Sequence, residues 1–248
     1  MTKGVAPAAS PAPSPAPAPA PVAAPPVAAP VAAPAAAGGT SAGALILIRP
    51  DGSEGESFPL QATTVVGREA SGPFASDSYL SPRHAEFAVS SGSANVTDLD
   101  SLNGVYIRID PDTPTELTAG SVFRIGQEIL RFEPYGPDTE DGEGTMAMGS
   151  KNPGYVGRIR LIIGRDTYGN SYPIGPDGMH LGRERGDVIF PEDGYVSGLH
   201  CRIHGEGGRV MLTDVGSSNG TFVRLSGEQQ IPSGTLLLMG QQLFRLDC

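Results

Sequence analysis

The chain has 248 residues, 18% of them charged, with a net charge of −10 and an acidic isoelectric point near 4.8. That balance excludes a surface that binds nucleic acid or anionic lipid over its whole extent, while leaving room for a local basic pocket. Two cysteines, Cys201 and Cys248, give neither a disulfide framework nor a zinc spacing, and no apolar run approaches membrane-spanning length.

Residues 5–37 are almost wholly Ala, Pro and Val. Pro at this density removes N–H donors and blocks helix, so residues 1–43 are expected to form a disordered, partly polyproline-II tether. They hold no Leu-rich stretch of the kind a secretory signal needs, and with reduced thiols the reading is a cytoplasmic chain. A Pro-rich ligand for an aromatic groove is the alternative use of the segment, but no PxxP core with basic flanks supports it.

From Ala44 to Phe132 the texture is all-β. Leu45–Ile48 is a short apolar run ended by the turn Arg49-Pro50-Asp51-Gly52. Thr63–Val66 is β-branched and stops at Gly67. His84–Val89 alternates and ends at Ser90-Ser91-Gly92. Asn95–Asp98, Val105–Ile107, Val122–Ile125 and Ile129–Phe132 follow, each bounded by turn residues. Short strands at this spacing read as a β-sandwich over 44–134. Residues 135–156 are acidic, Gly-rich and poor in large apolar side chains, and read as a linker. Strand signals resume from Gly157 to Cys248, giving a second sandwich over 157–248.

The second sandwich repeats the first. Gly67-Arg68-Glu69 returns as Gly182-Arg183-Glu184, 115 positions on, and the motif at Asn103-Gly104 returns at Asn219-Gly220, 116 positions on. Between them Ser81-Pro82-Arg83-His84 returns as Ser197-Gly198-Leu199-His200. The stretch Gly120–Gln127 matches Gly234–Gln241. A unit of this length is a duplicated domain rather than a solenoid repeat. The residues kept in both copies lie mostly in loops, where function concentrates.

Three loops per copy carry polar groups that strand packing does not require: an Arg directly after a strand-ending Gly, a Ser three residues before a His, and an Asn-Gly after a Ser-containing turn. If they gather at one end of the sandwich, a guanidinium fork, a hydroxyl, loop N–H groups and a carboxamide face one site. That set suits a dianionic phosphate monoester attached to a peptide. Taken singly, each piece has a plainer meaning: a solvated Arg in a turn, a hydrogen-bonded structural His, a hairpin Asn-Gly. Asp98 and Asp214 read as carboxylates that bond loop backbone. A Ser/His hydrolase is disfavoured, because no G-x-S-x-G elbow is present. A metal at His200, Cys201 and His204 is disfavoured too, because neighbouring residues of a strand face opposite sides and no fourth ligand is evident.

Gly-Arg, Ser-x-x-His and Asn-Gly, in that order and twice on an all-β chain, resemble the forkhead-associated (FHA) domain. The resemblance implies two tandem sandwiches of about eleven strands each. Each would bind phosphothreonine peptides without catalysis or cofactor. It implies phosphate contacts from Arg68 and Ser81 in the first copy and from Arg183 and Ser197 in the second, with Arg83 and Ser218 among the phosphopeptide-binding residues. Asn103 and Asn219 would hold the ligand backbone, with Gly67, His84, Gly182 and His200 shaping the loops. The partners implied are Thr-phosphorylated proteins and a Ser/Thr kinase, with neither nucleic acid nor membrane involved. The rival reading is a phosphate-independent scaffold. A phosphothreonine at Thr139 or Thr145 in the linker could also dock on its own chain, although threonine is common in linkers.

The copies differ. The first has Pro82, which lacks an N–H, and Val105 where the second has Thr221. The second has Leu199 where the first has the basic Arg83. After Arg68 the first copy also lacks the Asp-Val-Ile strand found at 187–189. The second site is therefore expected to be the better formed.

Overall fold

The computed structural model describes residues 41–70, 72–136, 143–145, 148–165 and 167–248. All but the last three residues of the expected tether, and Thr139 of the linker, lie outside them. The first copy contributes β1 (Gly43–Ile48), β2 (Glu54–Leu60), β3 (Thr63–Val66), β4 (Ala85–Ser90), β5 (Ser93–Asp98), β6 (Val105–Arg108), β7 (Thr115–Leu117), β8 (Val122–Ile125) and β9 (Glu128–Pro134). The second contributes β10 (Gly157–Gly164), β11 (Thr167–Ile174), β12 (Met179–Gly182), β13 (Val188–Ile189), β14 (Cys201–Glu206), β15 (Arg209–Asp214), β16 (Thr221–Arg224), β17 (Glu228–Pro232), β18 (Leu236–Met239) and β19 (Gln242–Asp247). The described residues thus hold nine and ten strands, against the eleven per sandwich that the resemblance implies. One short 3-10 turn, Pro73–Ser76, stands in the first copy where the second has β13. β13 pairs in parallel with β12 through Leu181 and Val188.

Two hydrophobic cores form, as two sandwiches require, but strand pairing does not follow the boundary between the copies. A ten-stranded sheet runs β11-β10-β9-β8-β16-β6-β18-β19-β1-β2, and smaller sheets run β13-β12-β14-β15-β7 and β17-β5-β4-β3. β1 pairs with β19 of the second copy, and β10 pairs with β9 of the first. β17 closes the sheet of β5, while β7 closes that of β15. One core accordingly packs Leu45, Phe58 and Phe87 against Leu237, Phe244 and Leu246. The other packs Phe123, Leu130 and Phe132 against Ile159, Leu181 and Leu212. Each sandwich is built from the front of one copy and the back of the other.

The exchanged strands are interchangeable: Val122–Ile125 and Leu236–Met239 both bury their second and fourth residues, so either fits the same slot. The connection after β6 turns at Pro111-Asp112, where the Thr113 amide donates to the Asp110 carbonyl at 3.3 Å, Asp112 takes a φ of 58° and its amide donates to the Asp214 carbonyl of the other copy at 2.9 Å. At the middle of the large sheet β6 and β16 pair antiparallel, Ile107 opposite Val223, and join the sandwiches in one ladder.

Candidate functional site

In the first sandwich the three loops are stitched around residues 79–81. The Arg68 amide donates to the Ser81 carbonyl at 3.0 Å, and its Nε donates to the Leu80 carbonyl at 2.6 Å. Asn103 Nδ2 donates to the Tyr79 carbonyl at 2.6 Å. Ser81 Oγ accepts the Leu102 amide at 3.1 Å. Gly67 is required by close approach, since a Cβ there would meet the backbone of Ser81 and Pro82.

The second sandwich repeats this frame around 195–197. The Arg183 amide donates to the Ser197 carbonyl at 2.8 Å, Asn219 Nδ2 donates to the Tyr195 carbonyl at 2.8 Å, and Ser197 Oγ accepts the Ser218 amide at 3.0 Å. Gly182 is crowded in the same way, by the carbonyls of Arg185 and Gly198.

A buried histidine ties the frame together in each copy. His84 Nδ1 accepts the Ser81 amide at 3.1 Å, so Nε2 carries the proton and donates to the Gly104 carbonyl at 3.0 Å. His200 makes the same pair of bonds to Ser197 and Gly220, at 3.0 and 3.2 Å. Burial pushes both imidazoles below their ordinary value, against the carbonyl bonds that would raise it. They are neutral spacers between the Ser and Asn loops, not acids or bases.

Arg68, Ser81 and Asn103, and likewise Arg183, Ser197 and Asn219, thus converge on one short segment in each sandwich. Arg83 is exposed and has no hydrogen-bond partner among the described residues. Ser218 is exposed as well, and its amide rather than its hydroxyl joins the frame. The two arginines differ in their engagement. Arg183 Nη2 pairs with Glu184 Oε1 at 2.7 Å, and that hydrogen bond holds the Glu184 carboxyl below its usual range. Arg68 has no carboxylate partner among the described residues. The two frames use the same loop bonds, the Arg68 guanidinium adding one to the Leu80 carbonyl in the first, while the Arg183 guanidinium is turned to Glu184 in the second.

Asp98 and Asp214 bond loop backbone as expected. Asp214 accepts the amides of Gly216 and Ser217 at 2.9 and 2.7 Å and the hydroxyls of Ser217 and Thr221 at 2.6 and 2.8 Å. Burial opposes its charge, but these bonds outweigh burial and hold its carboxyl below the usual range.

Sequence reasoning missed a second pair of buried carboxylates. Asp77 Oδ1 accepts the Tyr79 amide at 2.9 Å, and Oδ2 accepts the Gln241 amide of the other copy at 3.2 Å. Asp193 does the same for Tyr195 and Gln127, at 2.9 and 2.6 Å. These carboxylates fix the segments that carry the Arg and Asn anchor carbonyls. Their trace in the sequence was the repeat of Asp77-x-Tyr79-x-Ser81 as Asp193-x-Tyr195-x-Ser197, together with the repeated Gly126-Gln127 and Gly240-Gln241 pairs. No group of His, Cys, Asp and Glu able to hold a metal exists among the described residues. No helix among them is long and apolar enough to cross a membrane.

Residues 64–126 and 161–240 match the family model of the FHA domain. Over 91 residues the chain is 37% identical to the oxoglutarate dehydrogenase inhibitor of Corynebacterium efficiens, covering 36% of this chain and 64% of that protein. Over 103 residues it is 37% identical to the glycogen accumulation regulator GarA of Mycolicibacterium smegmatis, covering 41% and 65%. It is 36% identical over 104 residues to GarA of Mycobacterium tuberculosis, covering 41% and 64%. The chain spans just under two thirds of the length of these curated relatives. No solved structure matches it. With both copies matched and the same loop frame built twice, the chain belongs to the FHA-domain family, a family of phosphothreonine-peptide-binding domains.

Proposed function

We propose that this protein is a non-catalytic adaptor with two phosphothreonine-peptide sites, one per sandwich, serving Ser/Thr-kinase signalling. The observation that carries the reading is the loop frame built twice, in which Asn, Ser and the Arg amide meet one segment at Tyr79–Ser81 and at Tyr195–Ser197, with the Arg68 guanidinium on Leu80 and the Arg183 guanidinium 3.5 Å from the Gly194 carbonyl. Arg68 or Arg183 supplies charge and a bidentate fork to the phosphate, with Arg83 adding charge at the first site. Ser81 or Ser197 supplies a short hydrogen bond, joined at the second site by Ser218. Asn103 or Asn219 turns its carboxamide to the ligand backbone. A preference for threonine over serine would come from burying its methyl, worth about 1 kcal/mol. Two relatives are named as regulators of metabolism, which makes Thr-phosphorylated metabolic enzymes a partner class to test.

The test is calorimetric titration with a phosphothreonine peptide and its unphosphorylated twin. The unaltered chain is expected to bind two phosphopeptides and no unphosphorylated one. Arg183→Ala should weaken the second site by about 10- to 100-fold, as a charged hydrogen bond to phosphate implies. Equal binding of both peptides would favour the scaffold reading instead. That reading draws on the first copy, where Pro82 offers no amide and Val105 no hydroxyl.

A further inference from the structure

The Asn loops of the two sandwiches are held in different ways, and the difference falls on a residue from the opposite copy. Asp214 receives two hydroxyls, from Ser217 and Thr221, at 2.6 and 2.8 Å. Asp98 receives the Ser101 amide at 2.7 Å and the Val105 amide at 3.3 Å, but among the described residues no hydroxyl: Val105 occupies the place of Thr221, and the Ser101 hydroxyl accepts the Gly104 amide at 2.9 Å without bonding Asp98. Arg224 faces Asp98 Oδ2 instead, with Nη2 at 3.8 Å, and the same nitrogen donates to the Ser101 carbonyl at 3.3 Å. A Cβ on Gly104 would collide with the Arg224 guanidinium, so the glycine clears its path. Arg224 ends β16 and belongs to the second copy. Arg108 lies against Gly220 in the reciprocal position, yet it makes no ion pair among the described residues.

We propose that Arg224 is a positioning residue for the first phosphopeptide site. It takes over from outside the copy what Thr221 does within the second copy, and it holds the loop that presents the Leu102 amide and Asn103. The first Asn loop therefore depends on Arg224 from a strand of the other copy, whereas the second Asn loop closes the equivalent contact with its own Thr221. This rests on the phosphopeptide reading of the first site.

The experiment uses the full chain carrying Arg183→Ala, so that only the first site binds. The probe is a phosphothreonine peptide selected on that chain from an oriented library. Adding Arg224→Ala is expected to weaken binding about tenfold, a factor typical of losing one charged contact. Adding Val105→Thr as well is expected to restore it, by giving Asp98 the hydroxyl that Asp214 already has. In the complementary background, with Arg68→Ala, Arg224→Ala should leave the second site unchanged. Amide hydrogen exchange at Leu102 and Gly104, measured without ligand, should quicken with Arg224→Ala and slow again with Val105→Thr. Unchanged first-site binding, equal weakening of both sites, or no rescue by Val105→Thr would overturn the proposal. Failure of any phosphopeptide to bind the unaltered chain would retire the phosphate reading alone, and the loop amides would still decide the role of Arg224.

Discussion

At the scale of single residues, each site depends on a neutral imidazole, and that dependence sets its response to acid. His84 and His200 are fully buried, and burial holds both below the ordinary value of 6.5. The unfolded chain therefore takes up these protons at a higher pH than the folded chain does. Stability is full above pH 6.5, falls as the pH drops from there toward the folded-state values, and levels off beneath them. Melting temperature followed from pH 8 to pH 5 should show this loss, and His84→Gln with His200→Gln should flatten it. A profile unchanged by the double substitution would assign the acid response to other groups. The carboxylates Asp214 and Glu133, depressed from 3.8 and 4.5, act only at still lower pH. Of the site residues, the Arg, Ser, His and Asn of each copy were legible, because their spacing repeats inside one contiguous segment. Asp77, Asp193 and Arg224 were not, because their partners Gln241, Gln127 and Ser101 lie in the other copy and no local pattern announces such a contact.

At the scale of elements, most strand positions followed from alternation and turn chemistry, but the short, polar β7 and β17 did not, and neither did the strand partners. Val122–Ile125 and Leu236–Met239 show the same burial pattern, so nothing in either run says which sandwich it completes. The exchange has a direct consequence for mutations. Phe244 of β19 is fully buried and packs edge-to-face on Phe58 and tilted against Phe74, ring centroids 6.3 and 5.4 Å away. Phe244→Ala should cost about 3–5 kcal/mol by leaving a cavity in that core. Hydrogen exchange should then quicken in β1 and β2 of the first copy more than in β10 and β12 of its own. The reverse order would mean that the strands pair within their own copies.

At the scale of the whole molecule, the two sandwiches are interlocked rather than strung on a tether. The continuous ladder from β11 to β2 passes through β16 and β6, and each core holds residues from both halves of the chain. Cutting the linker at a protease site placed within 143–150 should therefore leave two fragments that co-elute in native buffer and part only in denaturant. Separate elution in native buffer would show that the cores are not shared. On the proposed reading, joined sandwiches also fix the separation of the two sites, so a doubly phosphorylated partner is expected to gain avidity only if its spacing matches.

The crossed connectivity also bears on how the polypeptide reaches this state as it leaves the ribosome. When synthesis has passed residue 134 but not residue 236, β8 and β9 are on hand to finish the first sandwich, and β18 and β19 do not yet exist. Any early closure that uses β8 and β9 is provisional. The final arrangement requires those two strands to be handed to the later half once the carboxyl-terminal residues emerge.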